Sequence, residues 1–306
     1  MTTTQSHLLA LKDFTRKELE ELINRAGTLK EKERHRSHHS RLAGRIISLL
    51  FDKPSTRTRV SFEAAMYRLG GQVVFMSSQE SQLSRGEPLK DMARVMSRYV
   101  DGLVVRTFGQ EVVEELARYA DVPVINALTD LYHPCQILSD LLTVIEKRNR
   151  LQGLKIVWLG DGNNMANTWI EAAMIMGFPL TLACPAGYDP DSGVLAAAEK
   201  RQADITLLRD PVEAVRDADV INVDVWASMG QESEQEERRK IFLPYQLNKS
   251  LLRQAADNAL VLHCLPAHRG EEITDEILES SHCPAFDQAE NKMHMHMAIL
   301  EHFLGK

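Results

Sequence analysis

The chain has 306 residues, 44% of them hydrophobic, and its 43 acidic and 36 basic side chains leave a formal net charge of −7. At roughly 150 residues per domain this length suggests two domains with proper cores, although one larger α/β domain would also fit. The acidic balance argues against general affinity for nucleic acid or anionic membrane surfaces, while leaving room for a locally basic pocket.

In chain order, short apolar runs alternate with amphipathic stretches of helix length, the pattern of an α/β protein with parallel sheets. Thr15 and Glu18 form a capping-box pair ahead of Leu19, Leu22, Ile23 and Ala26 at helical spacing. His35, His38 and His39 read as a polar loop. Residues 46–51 read as a buried strand, followed by a helix that ends at Gly70-Gly71. Further strands are expected at 73–76, 102–106, 122–127, 154–160, 179–184, 205–208, 219–225 and 259–265, with helical patterns between nearly all of them. The polar run Lys147-Arg148-Asn149-Arg150 marks a boundary. It separates a first domain, 1–148, from a second, 149–287. A last helix, about 288–304, is long enough to pack back on the first. The alternation Met293-His294-Met295-His296-Met297 fits a helix with two exposed histidines better than a soft-metal site.

The most informative segment is Ser55-Thr56-Arg57-Thr58-Arg59, directly after a strand. Ser55 or Thr56 can cap the next helix. Hydroxyls, free backbone N–H groups and Arg57 then converge on the positive pole of a helix dipole, which suits a phosphate. An ordinary capped helix is the plain alternative. Two arginines in a first turn, where the dipole disfavours cations, favour a bound anion. Arg106 and the His133-Pro134-Cys135-Gln136 run lie at the ends of two more strands, where open α/β sheets collect ligands. Each alone could be a surface arginine or a satisfied loop histidine; the coincidence of three is the signal.

In the second half, Gly160-Asp161-Gly162-Asn163-Asn164 follows a strand and opens a helix, as a dinucleotide loop would. However, Met165 holds the place of the third glycine, and the next strand ends Ala183-Cys184-Pro185 with no acid for a ribose. An NAD-dependent dehydrogenase is therefore disfavoured. Asp224 offers an anionic partner for an ammonium, and Ser228 with the backbone near Gly230 offers hydrogen bonds. Asp224 could equally cap the next segment. Cys264 could be a small buried hydrophobe or a thiol nucleophile, though spacing reveals no His/Asn partner for it. The four cysteines, Cys135, Cys184, Cys264 and Cys283, contain no C-x-x-C pair and suit a reducing compartment. With no secretory signal in the opening residues and no apolar run of membrane length, a cytoplasmic protein is expected.

Taken together, Ser55-Thr56-Arg57-Thr58-Arg59, His133-Pro134-Cys135-Gln136, the 224–230 segment and His263-Cys264-Leu265-Pro266 resemble the aspartate/ornithine carbamoyltransferase family, over essentially the whole chain. Cys135, the Ser228-Met229-Gly230 loop and the His263 to Pro266 run resemble its ornithine branch. The resemblance implies two Rossmann-like domains, each a parallel sheet flanked by helices, joined by interdomain helices. It implies carbamoyl phosphate bound by Ser55, Thr56, Arg57, Thr58, Gln82, Arg106, His133, Gln136, Cys264, Leu265 and Lys292, with Arg57, Arg106, His133 and Cys264 catalytic. It also implies L-ornithine bound by Asn164, Asp224, Ser228 and Met229, and citrulline and phosphate as products. No cofactor and no metal are implied, and Gln82 would reach across a subunit interface in a trimer or a multiple of trimers. Putrescine is the near alternative acceptor, but a diamine has no α-carboxylate to bind. One departure stands out: Lys292 occupies a position where the family usually has arginine. Lysine keeps the charge and loses the planar two-pronged geometry.

Overall fold

In a computed structural model, the structure describes residues 6–35, 40–77, 86–227 and 234–305. Gln82, Ser228 and Met229, and likewise His38 and His39, lie outside the described residues. The chain forms two compact units, one of Met1–Leu142 with Asn291–Lys306, the other of Thr143–Glu290.

The first unit opens with α1 (Arg16–Arg34), whose Thr15 and Glu18 make the expected capping box; His35 closes this helix rather than sitting in a loop. There follow β1 (Ile46–Phe51), α2 (Thr56–Arg68), β2 (Gln72–Ser77), α3 (Leu89–Met96), β3 (Gly102–Arg106), α4 (Gln110–Tyr119), β4 (Val124–Leu128) and α5 (Pro134–Arg148), whose residues from Thr143 onward belong to the second unit. Among the described residues its sheet has four parallel strands in the order β2-β1-β3-β4. Because helices cover a parallel sheet, its strands read as nearly continuous apolar runs. All five residues of β3 are buried, Arg106 included.

The second unit contains β5 (Ile156–Leu159), α6 (Asn164–Met176), β6 (Leu180–Ala183), α7 (Ser192–Lys200), β7 (Ile205–Leu208), α8 (Pro211–Val215), β8 (Val220–Val223), α9 (Gln235–Phe242), α10 (Lys249–Leu252), β9 (Leu260–His263) and α11 (Asp275–Leu278). Its described strands form a parallel sheet in the order β7-β6-β5-β8-β9. Several strands are shorter than their apolar runs suggest. The run at 259–265 ends as a strand at His263, which leaves Cys264 and Leu265 in the loop beyond it. A core of Val157, Ile221, Val261, Ile273 and Ile277 fills one side of this sheet. Each such aliphatic side chain contributes about 1.5–3 kcal/mol on full burial.

The final helix, α12 (Ala285–Leu304), begins three residues earlier than expected, and its residues from Asn291 onward belong to the first unit. The expectation of two exposed histidines on it is overturned. His294 and His296 are buried together with Met295, Met297, Ile299 and Leu300. From Asn291 to Leu300 this helix is enclosed on nearly every side, so that stretch has no polar face for histidine to occupy. The His296 ring stacks on Phe62 with centroids 3.6 Å apart, and its Nδ1 lies 3.0 Å from Ser61 Oγ.

Candidate active site

Both sheets reverse direction of growth at one place: between β1 and β3 in the first, and between β5 and β8 in the second. At such a switch point the connections on either side leave toward opposite faces, so a crevice opens beyond the carboxyl ends of the strands. Among the described residues, several of the polar side chains singled out in the sequence lie at or just beyond these strand ends.

In the first unit, Phe51 pairs in register with Arg106, and Arg106 with Leu128, so three strand ends lie side by side. Ser55 caps α2 by accepting the Thr58 N–H at 3.3 Å, which resolves the choice between Ser55 and Thr56. Thr58 is buried, whereas Thr56 and Arg57 are exposed at the helix start. The two first-turn arginines differ. Arg59 donates to Glu63 at 2.9 Å and lies over the Phe75 ring, while Arg57 has no acidic partner among the described residues. Only Arg57 is therefore available to an anion at this pole.

The loop between β1 and α2 is fastened by contacts that sequence inspection did not reveal. The Asp52 carboxylate accepts from the Thr107 hydroxyl, and its backbone N–H donates to the Arg106 carbonyl at 2.8 Å. Lys53, itself buried, pairs with Asp130 and lies over Phe108. The partners sit 55 and 77 residues away, so no local spacing could have shown them.

His133 is fully enclosed. Burial pushes its imidazole well below the usual 6.5, and the positive charges of Lys292 and Arg106 push it further down. It is therefore neutral near pH 7, able to hydrogen-bond a carbonyl oxygen without carrying charge. His296 is held low by burial and by Lys292. Gln136, one turn along α5, receives the Lys292 ammonium on Oε1 at 2.9 Å and donates from Nε2 to Asp140 at 2.8 Å. Ser55, Arg57, Thr58, Arg106, His133, Gln136 and Lys292 all belong to this unit. Cys135 has its thiol pushed up to about 12 by burial and is inert as a nucleophile.

In the second unit, Leu159 pairs with Val223, and Val223 with His263, which again aligns three strand ends. Asn163 caps α6 by accepting from Met165 and Ala166. Its amide also donates to Asp224 Oδ2 at 3.2 Å, and Asn164 is the first residue of the helix. The Cys264 thiol donates to Asp224 Oδ1 at 3.1 Å. Asp224, Asn163 and Cys264 thus come together, with Asn164 next to Asn163 in sequence and Leu265 directly after Cys264.

The His263 ring is already engaged on both nitrogens. Its Nδ1 accepts the Leu265 N–H at 2.9 Å, and its Nε2 meets the buried Glu272 carboxylate at 2.9 Å. That arrangement supports Leu265 in the left-handed region, at φ +56°, which a leucine rarely adopts. Although Asp224, His263 and Cys264 offer donor atoms within 4.8 Å of one another, a ring so engaged has no lone pair left for a metal. It is likewise no base for the Cys264 thiol.

The glycines of the 160–162 turn have an internal role. Gly160 adopts φ +133°. A Cβ on Gly162 would stand 2.2 Å from the backbone of Asp189 and Pro190, so this glycine admits the chain itself rather than a pyrophosphate. Asp161 beside it pairs with the buried guanidinium of Arg238, which also holds the Trp226 carbonyl. Burial lifts the Asp161 carboxyl to about 6 despite that arginine.

The family model for the carbamoyl-phosphate-binding domain of aspartate/ornithine carbamoyltransferases matches residues 6–146. The model for their Asp/Orn-binding domain matches residues 152–303. An ornithine carbamoyltransferase of Desulfotalea psychrophila is 69% identical over 300 residues, covering 98% of this chain and 99% of the relative. One of Geobacter sulfurreducens is 57% identical, covering 96% and 97%. The solved ornithine carbamoyltransferase of Pyrococcus furiosus superposes with a TM-score of 0.95 at 46% identity, covering 100% of this chain and 99% of that one.

Proposed function

The chain belongs to the aspartate/ornithine carbamoyltransferase family, and from that premise we infer that it transfers the carbamoyl group of carbamoyl phosphate to the δ-amine of L-ornithine, giving L-citrulline and phosphate. The observation on this chain that carries the acceptor assignment is the buried Asp224 carboxylate, held by Asn163 and Cys264 at the second crevice. A fixed anion there attracts the ammonium of ornithine and repels the second carboxylate of aspartate. Putrescine would satisfy the anion but would leave hydrogen-bond donors near Asn164 without a carboxylate.

In this reading the carbamoyl phosphate lies in the first unit, with its phosphate on the α2 N-terminus. Ser55, Thr56, Arg57 and Thr58 bind the phosphate oxygens. Thr58, Arg106 and neutral His133 hydrogen-bond the carbamoyl oxygen, and Gln136 takes the amide. The ornithine δ-amine must shed its proton before it attacks. Its nitrogen then forms a bond to the carbamoyl carbon, and negative charge grows on the carbonyl oxygen, where Arg106 stabilises it. As the tetrahedral intermediate collapses, the carbon–oxygen bond to phosphate breaks. Phosphate leaves with that electron pair, its charge met by Arg57, and the nitrogen's extra proton passes to the departing phosphate, giving citrulline and hydrogen phosphate. Asn164, Asp224, Ser228 and Met229 bind the amino-acid end of ornithine, with Cys264 and Leu265 beside the reacting groups.

A homotrimer or a multiple of trimers, in which Gln82 completes a neighbour's site, belongs to the same proposal. Support comes from the first unit's sheet edge: β2 pairs on one side only among the described strands, and Val74 on it and Val60 and Tyr67 on α2 are exposed. A cytoplasmic location and a role in arginine metabolism complete the reading. The former fits four free cysteines and the lack of any described helix long and apolar enough to cross a membrane. Citrulline formation from carbamoyl phosphate, assayed with ornithine, putrescine and aspartate in parallel, tests the proposal. Turnover is expected with ornithine alone; equal or better turnover with either competitor would overturn it.

A further inference from the structure

Lys292, Gln136 and Asp140 form a buried line of three polar side chains within the first unit, exposed by 7%, 2% and 0%. Lys292 Nζ donates to Gln136 Oε1 at 2.9 Å, and Gln136 Nε2 donates to Asp140 Oδ1 at 2.8 Å. An amide side chain has two nearly isosteric orientations, differing by exchange of its oxygen and NH2. Here its neighbours decide between them on chemical grounds. An ammonium has three donors and no acceptor, and a carboxylate accepts, so the reversed amide would set NH2 against ammonium and oxygen against carboxylate. At this depth of burial both contacts would be repulsive.

We propose that Lys292 is a positioning residue that acts through Gln136: the Lys292–Gln136–Asp140 line locks the amide so that its carbonyl oxygen, with one lone pair still available, receives the NH2 of the carbamoyl group. This rests on the reading of the first unit as the carbamoyl phosphate site. It makes Lys292 a determinant of selectivity for a carbamoyl over an acyl group that lacks nitrogen. A lysine whose role is to contact the phosphate would have a different signature, because acetyl phosphate carries the same phosphate and a methyl in place of the NH2. Loss of a phosphate contact weakens both compounds alike, whereas loss of the amide lock weakens carbamoyl phosphate selectively.

The test uses the full chain and measures the KM of carbamoyl phosphate and the inhibition constants of acetyl phosphate and inorganic phosphate, in the wild type, Lys292→Met, Lys292→Arg and Asp140→Asn. Wild-type citrulline formation comes first; its absence would sink the functional reading itself. Given that activity, Lys292→Met is expected to lower the preference for carbamoyl over acetyl phosphate by about tenfold, the order expected for one hydrogen bond to a charged group. The inorganic phosphate constant should stay within about twofold. Lys292→Arg, which also only donates, should restore the preference. Asp140→Asn, which lets the other end donate as well as accept and so removes its preference for one amide orientation, should lower it in the same direction, and decides the matter should Lys292→Met fail to fold. An unchanged preference in the folded variants, or a parallel loss for all three phosphate compounds, would overturn the inference.

Discussion

The two units solve the same architectural problem with opposite charge. Each places its polar side chains beyond the switch point of a parallel sheet, and each caps the following helix from the loop, Ser55 in one and Asn163 in the other. In the first unit the buried titratable groups around the crevice include Arg106, Lys292, His133 and His296, with Asp140 behind Gln136, and burial, reinforced by the charge of Lys292, keeps the two histidines neutral. In the second the group at the crevice is Asp224, satisfied by neutral donors from Asn163, Cys264 and the Val225 N–H. Sheet topology therefore selects where a ligand goes, while a handful of side chains at fixed loop positions select its sign.

That contrast can be broken most directly by removing one charge from each side. Arg57→Ala should lower kcat/KM by on the order of 10²–10³, through both carbamoyl phosphate affinity and turnover. Asp224→Asn should cost roughly 10–100-fold, confined to ornithine, with carbamoyl phosphate affinity preserved. Steady-state kinetics with each substrate varied in turn checks both, and a shared phenotype would collapse the distinction between the two sites. Of smaller size is a structural asymmetry. Gly162→Ala forces a Cβ into the Asp189–Pro190 backbone and should destabilise the second unit by about 1–3 kcal/mol, read from a lowered urea midpoint of its tryptophan fluorescence. The effect sharpest in sign is the pH dependence of stability. Unfolded histidines bind protons near pH 6.5 while buried His133 and His296 do not, so their contribution is present above 6.5 and is lost as pH falls below it. Asp161 works the other way. Its folded value, about 6, lies above the unfolded 3.8, so its contribution declines as pH rises from about 4 to 6. Each slope approaches about 1.4 kcal/mol per pH unit for a full proton difference. Urea unfolding from pH 4.5 to 7 should show His296→Gln flattening the first slope and Asp161→Asn the second.

Much of this was legible in the linear chain. Periodicity located each described strand to within a few residues, and the Thr15–Glu18 box is visible as a four-residue word. Ser55, Arg106 and His133 could be gathered because each ends a strand or follows one closely, and strand ends of a parallel sheet lie together. The stapling of the loops was hidden, for Asp52–Thr107, Lys53–Asp130 and Asp161–Arg238 join residues 55 to 77 positions apart. Such pairs obey tertiary geometry and no local period. The histidines of α12 were misjudged for another reason. Met and His alternating on a helix give no amphipathic contrast, and the useful clue was composition: from Met293 to Leu300 there is no charged residue at all, as befits a stretch enclosed on nearly every side.

The first unit is interrupted in sequence: residues up to Leu142 and those from Asn291 onward form one body, with the entire second unit encoded between them. During synthesis, a nascent chain that has already made Ser55, Arg106 and His133 must wait while the ribosome translates the second unit, on the order of ten seconds at ordinary elongation rates. Until then Lys292 and His296 do not exist, Gln136 has its amide unlocked, and the Phe62 ring has nothing stacked upon it. The anion site therefore cannot mature before its partner domain has been made. On the proposed function, the order of manufacture completes the carbamoyl phosphate site only once an acceptor domain exists to receive its cargo.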